Sequence, residues 1–134
     1  GHNAARGKGN FIETMLRLAR ERSELRIVDD QRCTPTSVAD LAVTLVSLIE
    51  SEAWGIYHAT NSGECSWFQL AAEIFRLSNI TIGLIPSTAA EYGAKARRPD
   101  YSVLDCSKLT GVTGSPLPAW QDAVARYLHE RAHR

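Results

Sequence analysis

Neither a glycine-rich dinucleotide loop nor a tyrosine followed four residues later by a lysine occurs in this sequence. The chain therefore has no strand-to-helix cradle for a dinucleotide pyrophosphate. Cysteine is scarce: Cys33, Cys65 and Cys106 contain no C-x-x-C pair, and an odd number cannot all pair internally. They read as reduced thiols of a cytoplasmic protein, each a small buried apolar group. An excess of charge of one sign is also missing. Fifteen Lys and Arg balance fifteen Asp and Glu, so no net field draws the chain to nucleic acid or to an anionic membrane. The longest apolar runs, such as residues 41–49, are too short or too interrupted to cross a bilayer, and no signal-peptide h-region opens the chain. Residues 1–6 read as a tag remnant or flexible lead-in. Residues 7–134 read as one domain, since a chain of 134 residues can bury a modest core without disulfide or metal support.

What is present alternates between strand and helix signals. Asn10 stands where it can cap a helix over residues 11–22, whose apolar residues Phe11, Met15, Leu18 and Ala19 recur at helical spacing. Residues 24–30 alternate and end apolar, which predicts a strand delivering Asp29, Asp30 and Gln31 to its end. Pro35 and Thr36 break the chain. Val38, Leu41, Ala42, Leu45, Val46, Leu48 and Ile49 then trace a broad stripe, which predicts a well-buried helix. The β-branched and aromatic content of residues 54–60 predicts a strand, followed by turn chemistry at Asn61, Ser62 and Gly63. Ser66 and Gln69 form a capping box for a helix carrying Phe68, Ala71, Ala72 and Phe75. A further strand is expected over residues 80–86, a polar connector to Lys95, a short extended run over 101–105, and a last helix from Pro118 carrying Trp120, Val124, Tyr127 and Leu128 on one face. The alternation points to an α/β layer rather than a bundle.

Several motifs invite chemistry. Proline fixes its predecessor in an extended conformation, so in Arg97-Arg98-Pro99 the Arg98 guanidinium has a set direction suited to a phosphate or carboxylate, if it is more than a surface pair. Asp29, Asp30 and Gln31 sit at a strand end, where α/β proteins commonly hold ligands, though a solvated turn has the same composition. Adjacent carboxylates alternate sides, which argues against both holding one ion. Gly7, Lys8, Gly9 and Asn10 offer free amides at a helix start, either for an anion or as a plain lead-in. His129-Glu-Arg-Ala-His133 fits the H-E-x-x-H zinc pattern, but without a clear third ligand; no metal site is expected. No cysteine is flanked by residues that mark an activated thiolate, so no catalytic residue is assigned.

Taken in order, Gly7-Lys-Gly-Asn-Phe11, Met15-Leu-Arg-Leu-Ala19, Glu24-Leu-Arg-Ile-Val-Asp-Asp-Gln31, Pro35-Thr36, Ala39-Asp-Leu-Ala42, Gly55-Ile-Tyr-His58, Cys65-Ser-Trp-Phe68, Ala96-Arg-Arg-Pro-Asp-Tyr-Ser102 and Leu117-Pro-Ala-Trp120 resemble the substrate-binding portion of the dTDP-4-dehydrorhamnose reductase family. These are extended short-chain dehydrogenase/reductases. The resemblance implies a small mixed α/β lobe whose Rossmann half, with its NADPH loop and Tyr-x-x-x-Lys pair, is absent here. It implies a parent oxidoreductase that reduces a dTDP-4-dehydro-L-rhamnose to dTDP-L-rhamnose, the activated sugar for cell-surface polysaccharide. This portion alone would be inactive and would bind no NADPH. Its expected partners are the dTDP-sugar and the missing Rossmann domain. Carried over residue by residue, Asn10 and Arg98 match the diphosphate-gripping positions, and Gln31 and Thr36 match positions lining the sugar-nucleotide cleft. Cys33 stands where a glycine is common in the family. Tyr92-Gly-Ala-Lys95 is one residue short of the catalytic spacing. Two other readings share this fold: a non-catalytic regulatory module, and the lobe of a related sugar-nucleotide epimerase or dehydratase. Apolar edges freed from the Rossmann sheet predict a homodimer or domain-swapped form.

Overall fold

The computed structural model describes residues 9–93 and 97–133. The chain separates into two compact units, the first of residues 1–33 and 65–102, the second of 34–64 and 103–134. The Lys95 end of the Tyr92-to-Lys95 spacing, and Gly7 and Lys8 of the glycine-containing start, lie outside the described residues.

In the first unit, α1 (Phe11–Glu21) begins where the Asn10 side chain accepts from the Glu13 N–H at 2.9 Å. A cap of this kind is worth about 1 kcal/mol over alanine. The chain turns back into β1 (Glu24–Val28), which pairs in parallel with β4 (Gly83–Ser87), Ile27 facing Pro86. Among the described strands β4 has β1 as its only neighbour, so the missing N–H of Pro86 breaks no ladder. A second, antiparallel pair joins β2 (Arg32–Cys33) to β3 (Cys65–Ser66).

Ser66 then opens α3 (Trp67–Leu77) with the expected capping box. Its spacing of Leu70, Ala71, Ile74 and Phe75 puts one stripe into the core, with Met15, Leu16, Leu25 and Ile27 packed round it. The polar connector after β4 contains a one-turn helix, α4 (Ala89–Tyr92), started by a Thr88 and Glu91 capping box.

The second unit holds α2 (Val38–Glu50), α5 (Ser107–Thr113) and α6 (Trp120–Ala132). Leu109, Leu117, Trp120, Ala123 and Val124 form its core. Gly63 has φ +83°, and a Cβ there would come within 3.2 Å of the Trp120 ring, so both backbone and packing call for glycine.

Two sequence expectations fail in this unit. The stripe on α2 predicts burial, yet no residue of the helix is buried, and Val43 and Ile49 are 70% and 65% exposed. Residues 54–60 predict a strand, yet they join no ladder, and Trp54 and Ile56 are more than four-fifths exposed. Periodicity identifies an apolar face but not what covers it, and a strand needs a neighbour to supply its hydrogen bonds.

Candidate functional site

One end of the first unit gathers most of the residues singled out above. Eleven residues of α1 and five of β1 each rise about 16 Å, so the turn between them returns the end of β1 to the level of Asn10. Side-chain contacts confirm the placement. Phe11, next to Asn10, lies 5.0 Å from the Trp67 ring at the start of α3, and Ser66 Oγ donates a short hydrogen bond to Asp29 just past β1. The N-termini of two eleven-residue helices therefore meet the end of β1. Oriented peptide dipoles and unpaired N–H groups favour negative charge there.

The two carboxylates at this strand end have separate structural tasks. Asp29 takes the Ser66 hydroxyl, while both oxygens of Asp30 accept from the Ala89 N–H at 2.9 and 3.1 Å, closing the start of α4. Among the described residues no cluster of three His, Cys, Asp or Glu is arranged to hold a metal. At the other end of the chain, His129 and His133 stack at 4.3 Å, and His133 Nδ1 contacts the His129 carbonyl oxygen at 2.7 Å.

Gln31 follows Asp30 and differs from both acids. The residue is only 8% exposed, yet its side-chain amide makes no hydrogen bond among the described residues. Among the described residues no buried side-chain polar atom is left without a partner, so the Gln31 amide, making no such bond, keeps its polar atoms open to a ligand. Arg98 reaches the same end through the backbone. The Arg32 N–H donates to the Asp100 carbonyl at 2.8 Å, and the Ser102 N–H donates to the Arg32 carbonyl at 2.9 Å. Residues 100–102 thus run beside β2, and Arg98 enters that junction exposed and without an ion pair among the described residues. Arg32 itself is engaged, its Nη1 donating to Gln69 Oε1 at 3.1 Å.

The structure therefore brings Asn10, Gln31 and Arg98 to one end of the first unit. Thr36 belongs to the second unit, exposed, with its hydroxyl donating to the Thr34 carbonyl at 3.2 Å.

The second unit has a hollow of its own, about 300 Å³, lined by Thr34, Thr60, Asn61, Ser62, Cys106 and Leu117 among others. Its polar groups are already used. Thr34 donates to the Gly63 carbonyl, Ser62 donates to the Leu117 carbonyl, and Thr60 contacts Cys106. Beside it, Asn61 accepts from the Ser37 N–H at 2.7 Å and donates to Asp40 at 2.7 Å and to the Pro118 carbonyl at 2.9 Å. Arg126 completes the network by donating to Asp40 at 2.7 Å and Asp122 at 2.9 Å. The guanidinium of Arg126 holds the Asp40 carboxyl below its ordinary value against the opposing effect of burial, with Asn61 adding to the lowering.

A lowered folded value means that Asp40 contributes stability above its ordinary titration range and that the contribution is lost as pH falls through the folded value. Urea midpoints are expected to drop from about pH 4 downward, and Asp40→Asn is expected to be less acid-sensitive. Identical pH profiles for the two proteins would contradict this role.

Residues 4–133 match the family described as the RmlD substrate binding domain. The chain belongs to that family. Among its relatives, spore coat polysaccharide biosynthesis protein SpsK of Bacillus subtilis (strain 168) is 42% identical over 126 residues, which cover 94% of this chain and 44% of SpsK. The dTDP-4-dehydrorhamnose reductase of Escherichia coli (strain K12) is 39% identical over 138 residues, 92% of this chain and 46% of that protein. The crystal structure of dTDP-4-dehydrorhamnose reductase from Bacillus anthracis str. Ames in complex with NADP superposes with a TM-score of 0.85 at 38% identity, covering 93% of this chain and 44% of that one. This RmlD-family chain is thus a small α/β substrate-binding portion spanning less than half the length of these relatives.

Sequence reasoning left Asp29 and Asp30 between ligand groups and a solvated turn, whereas the fold uses both as ties. It missed Asp40, Asn61 and Arg126. Asp40 and Asn61 lie 21 positions apart, and Asp40 and Arg126 lie 86 apart, so no local signal announces them.

Proposed function

We propose that this chain is the substrate-binding lobe of an NADPH-dependent reductase that converts dTDP-4-dehydro-L-rhamnose to dTDP-L-rhamnose. The observation that carries the reading is the convergence of Arg98, Gln31 and two helix N-termini at one end of the first unit. A guanidinium directed by the following proline suits a diphosphate, and helix N-termini at the same level add to that preference. Asn10 opens one of those helices. The amide of Gln31 offers a donor and an acceptor to a sugar hydroxyl or keto oxygen. Thr36 is proposed as a lining residue on the family resemblance alone. Relatives named as reductases, at 36–39% identity, support this reading over an epimerase, a dehydratase or a purely regulatory module.

The residues of this chain do not fit a nicotinamide cofactor, since they include neither a glycine-rich strand-to-helix turn nor a Tyr-x-x-x-Lys pair. In the proposed parent a Rossmann half would hold NADPH, the cofactor being the source of hydride and that half the source of the proton. This lobe contributes binding energy and orientation at the diphosphate, remote from the reacting carbon. We place the parent in the cytoplasm on the scarcity of cysteine in this chain and its lack of a C-x-x-C pair, and the described helices include none long and apolar enough to cross a membrane. We also propose that the exposed apolar face of α2 is covered by the Rossmann half in the parent. The same face makes the lobe self-associate when it is alone.

Calorimetric titration of the chain with dTDP-rhamnose tests the site. A charge-assisted contact worth about 1.5–3 kcal/mol means that Arg98→Ala weakens binding by roughly 10- to 150-fold. Equal affinity of the two proteins would remove Arg98 from the site.

A further inference from the structure

β2 and β3 are two residues long, and each carries one cysteine. Their antiparallel register sets Cys33 directly opposite Cys65. Neighbouring bonds decide what kind of pair this is. Arg32 directs both its N–H and its carbonyl toward Asp100 and Ser102. Backbone groups alternate sides along a strand, so those of Cys33 face β3, and Cys33 and Cys65 form a hydrogen-bonded pair with Cα atoms about 5.5 Å apart. Disulfides most commonly have Cα spacings of about 5.5–6 Å.

The two side chains leave the sheet on the same face, directly opposite one another. Opposed Cβ atoms in such a pair stand about 5.5 Å apart, whereas a disulfide draws them to roughly 3.5–4.5 Å. Closure by about 1 Å strains the short ladder and makes the bond easy to reduce.

We infer that Cys33 and Cys65 are a redox modification site, forming a reversible intramolecular disulfide across β2 and β3. Cys33 is the attacking sulfur because it is half-buried, while Cys65 is 1% exposed. The hydrogen bond from the Cys65 thiol lowers the Cys33 thiol from its ordinary value, burial opposes, and the Arg32 guanidinium lowers it further.

The oxidant is a small disulfide. The Cys33 thiolate attacks one of its sulfurs, the S–S bond breaks, and the electron pair leaves on a thiolate. Cys65 then displaces the second thiol from Cys33. Two protein thiols lose two electrons, one small disulfide becomes two thiols, and the two cysteine protons end on the released sulfurs. Cys106 takes no part, since its thiol is engaged beside Thr60 and the Leu104 carbonyl.

The test equilibrates the full chain in oxidised and reduced glutathione at graded ratios, alkylates the remaining thiols and maps the peptides by mass spectrometry. Two of the three thiols are expected to disappear together into one Cys33–Cys65 linkage, which reverses in reduced buffer and leaves Cys106 alkylated. Cys106→Ser should retain the linkage. Cys33→Ser, altering a half-buried position, should lose it and leave Cys65 alkylated. A glutathione adduct persisting on Cys33, a linkage to Cys106, or all three thiols alkylated at the oxidising end would each overturn the assignment.

Discussion

Asn61→Ala is expected to destabilise the second unit by about 3 kcal/mol, at the upper end of what single substitutions usually do. Asn61 is 2% exposed, and its amide ties the start of α2 to the segment just before α6, far away in sequence. Its oxygen accepts from the N–H of Ser37, the capping residue of α2. Its nitrogen donates to Asp40 in the first turn of that helix and to the Pro118 carbonyl just before α6. Each such bond contributes about 1 kcal/mol net, and each partner left unmet in a buried setting costs a similar amount or more. Arg126 still bonds Asp40 after the substitution, which keeps the carboxylate paired and limits the loss.

Asn61→Asp separates the acceptor from the donor contributions. It keeps an oxygen for the Ser37 N–H but sets a carboxylate against Asp40 and the Pro118 carbonyl, so it should be no more stable than the alanine variant. Urea unfolding followed by tryptophan fluorescence reads both. A loss below about 1 kcal/mol for Asn61→Ala would show that the network does not hold the helix ends together.

Local order was legible wherever one short segment contains its own reason to fold. Asn10 caps α1 and Ser66 with Gln69 boxes α3, because both caps act across three residues. The same logic was available at Thr88 and Glu91, where a four-residue helix sits inside a segment that reads as featureless connector. Helix α5 gave less warning, since Gly111 and two threonines dilute its pattern. Contacts between distant residues were not legible. Asp29 reads as a ligand group until Ser66 is seen beside it, and the facing of Cys33 and Cys65 depends on a register that two-residue strands do not announce. The site was readable in part for the same reason. Arg98 is marked by Pro99, and Gln31 by its place after a strand, but the junction bringing them to one end is made by residues 100–102 bonding to Arg32.

The failed expectation of a buried α2 leads to the second large effect. Leu41, Thr44 and Leu48 are half-buried within the second unit, while Val38, Val43, Leu45, Val46 and Ile49 are exposed. Nearby in sequence, Trp54 and Ile56 stand on an extended segment with strand composition and no ladder. A helix face and a strand that both lack partners are what a sheet taken away would leave, and the relatives carry more than half of their length outside the matched region.

Val46→Lys with Ile49→Lys distinguishes an interface from an ordinary surface. In this chain both positions are solvated, and a lysine in the last turn of α2, which has no basic residue, suits the helix dipole. Its stability should therefore change by no more than about 0.5 kcal/mol. In the full-length parent the same pair would place two charges against the Rossmann half and forfeit about 1–2 kcal/mol of apolar burial at each position, so a loss of roughly 3 kcal/mol or more is expected. Self-association of the isolated chain, read by sedimentation across a concentration series, should weaken by about 100-fold or more in the double variant. Equal small changes in the chain and the parent would mean that α2 faces water in both, and the proposed seat of the missing half would have to lie elsewhere.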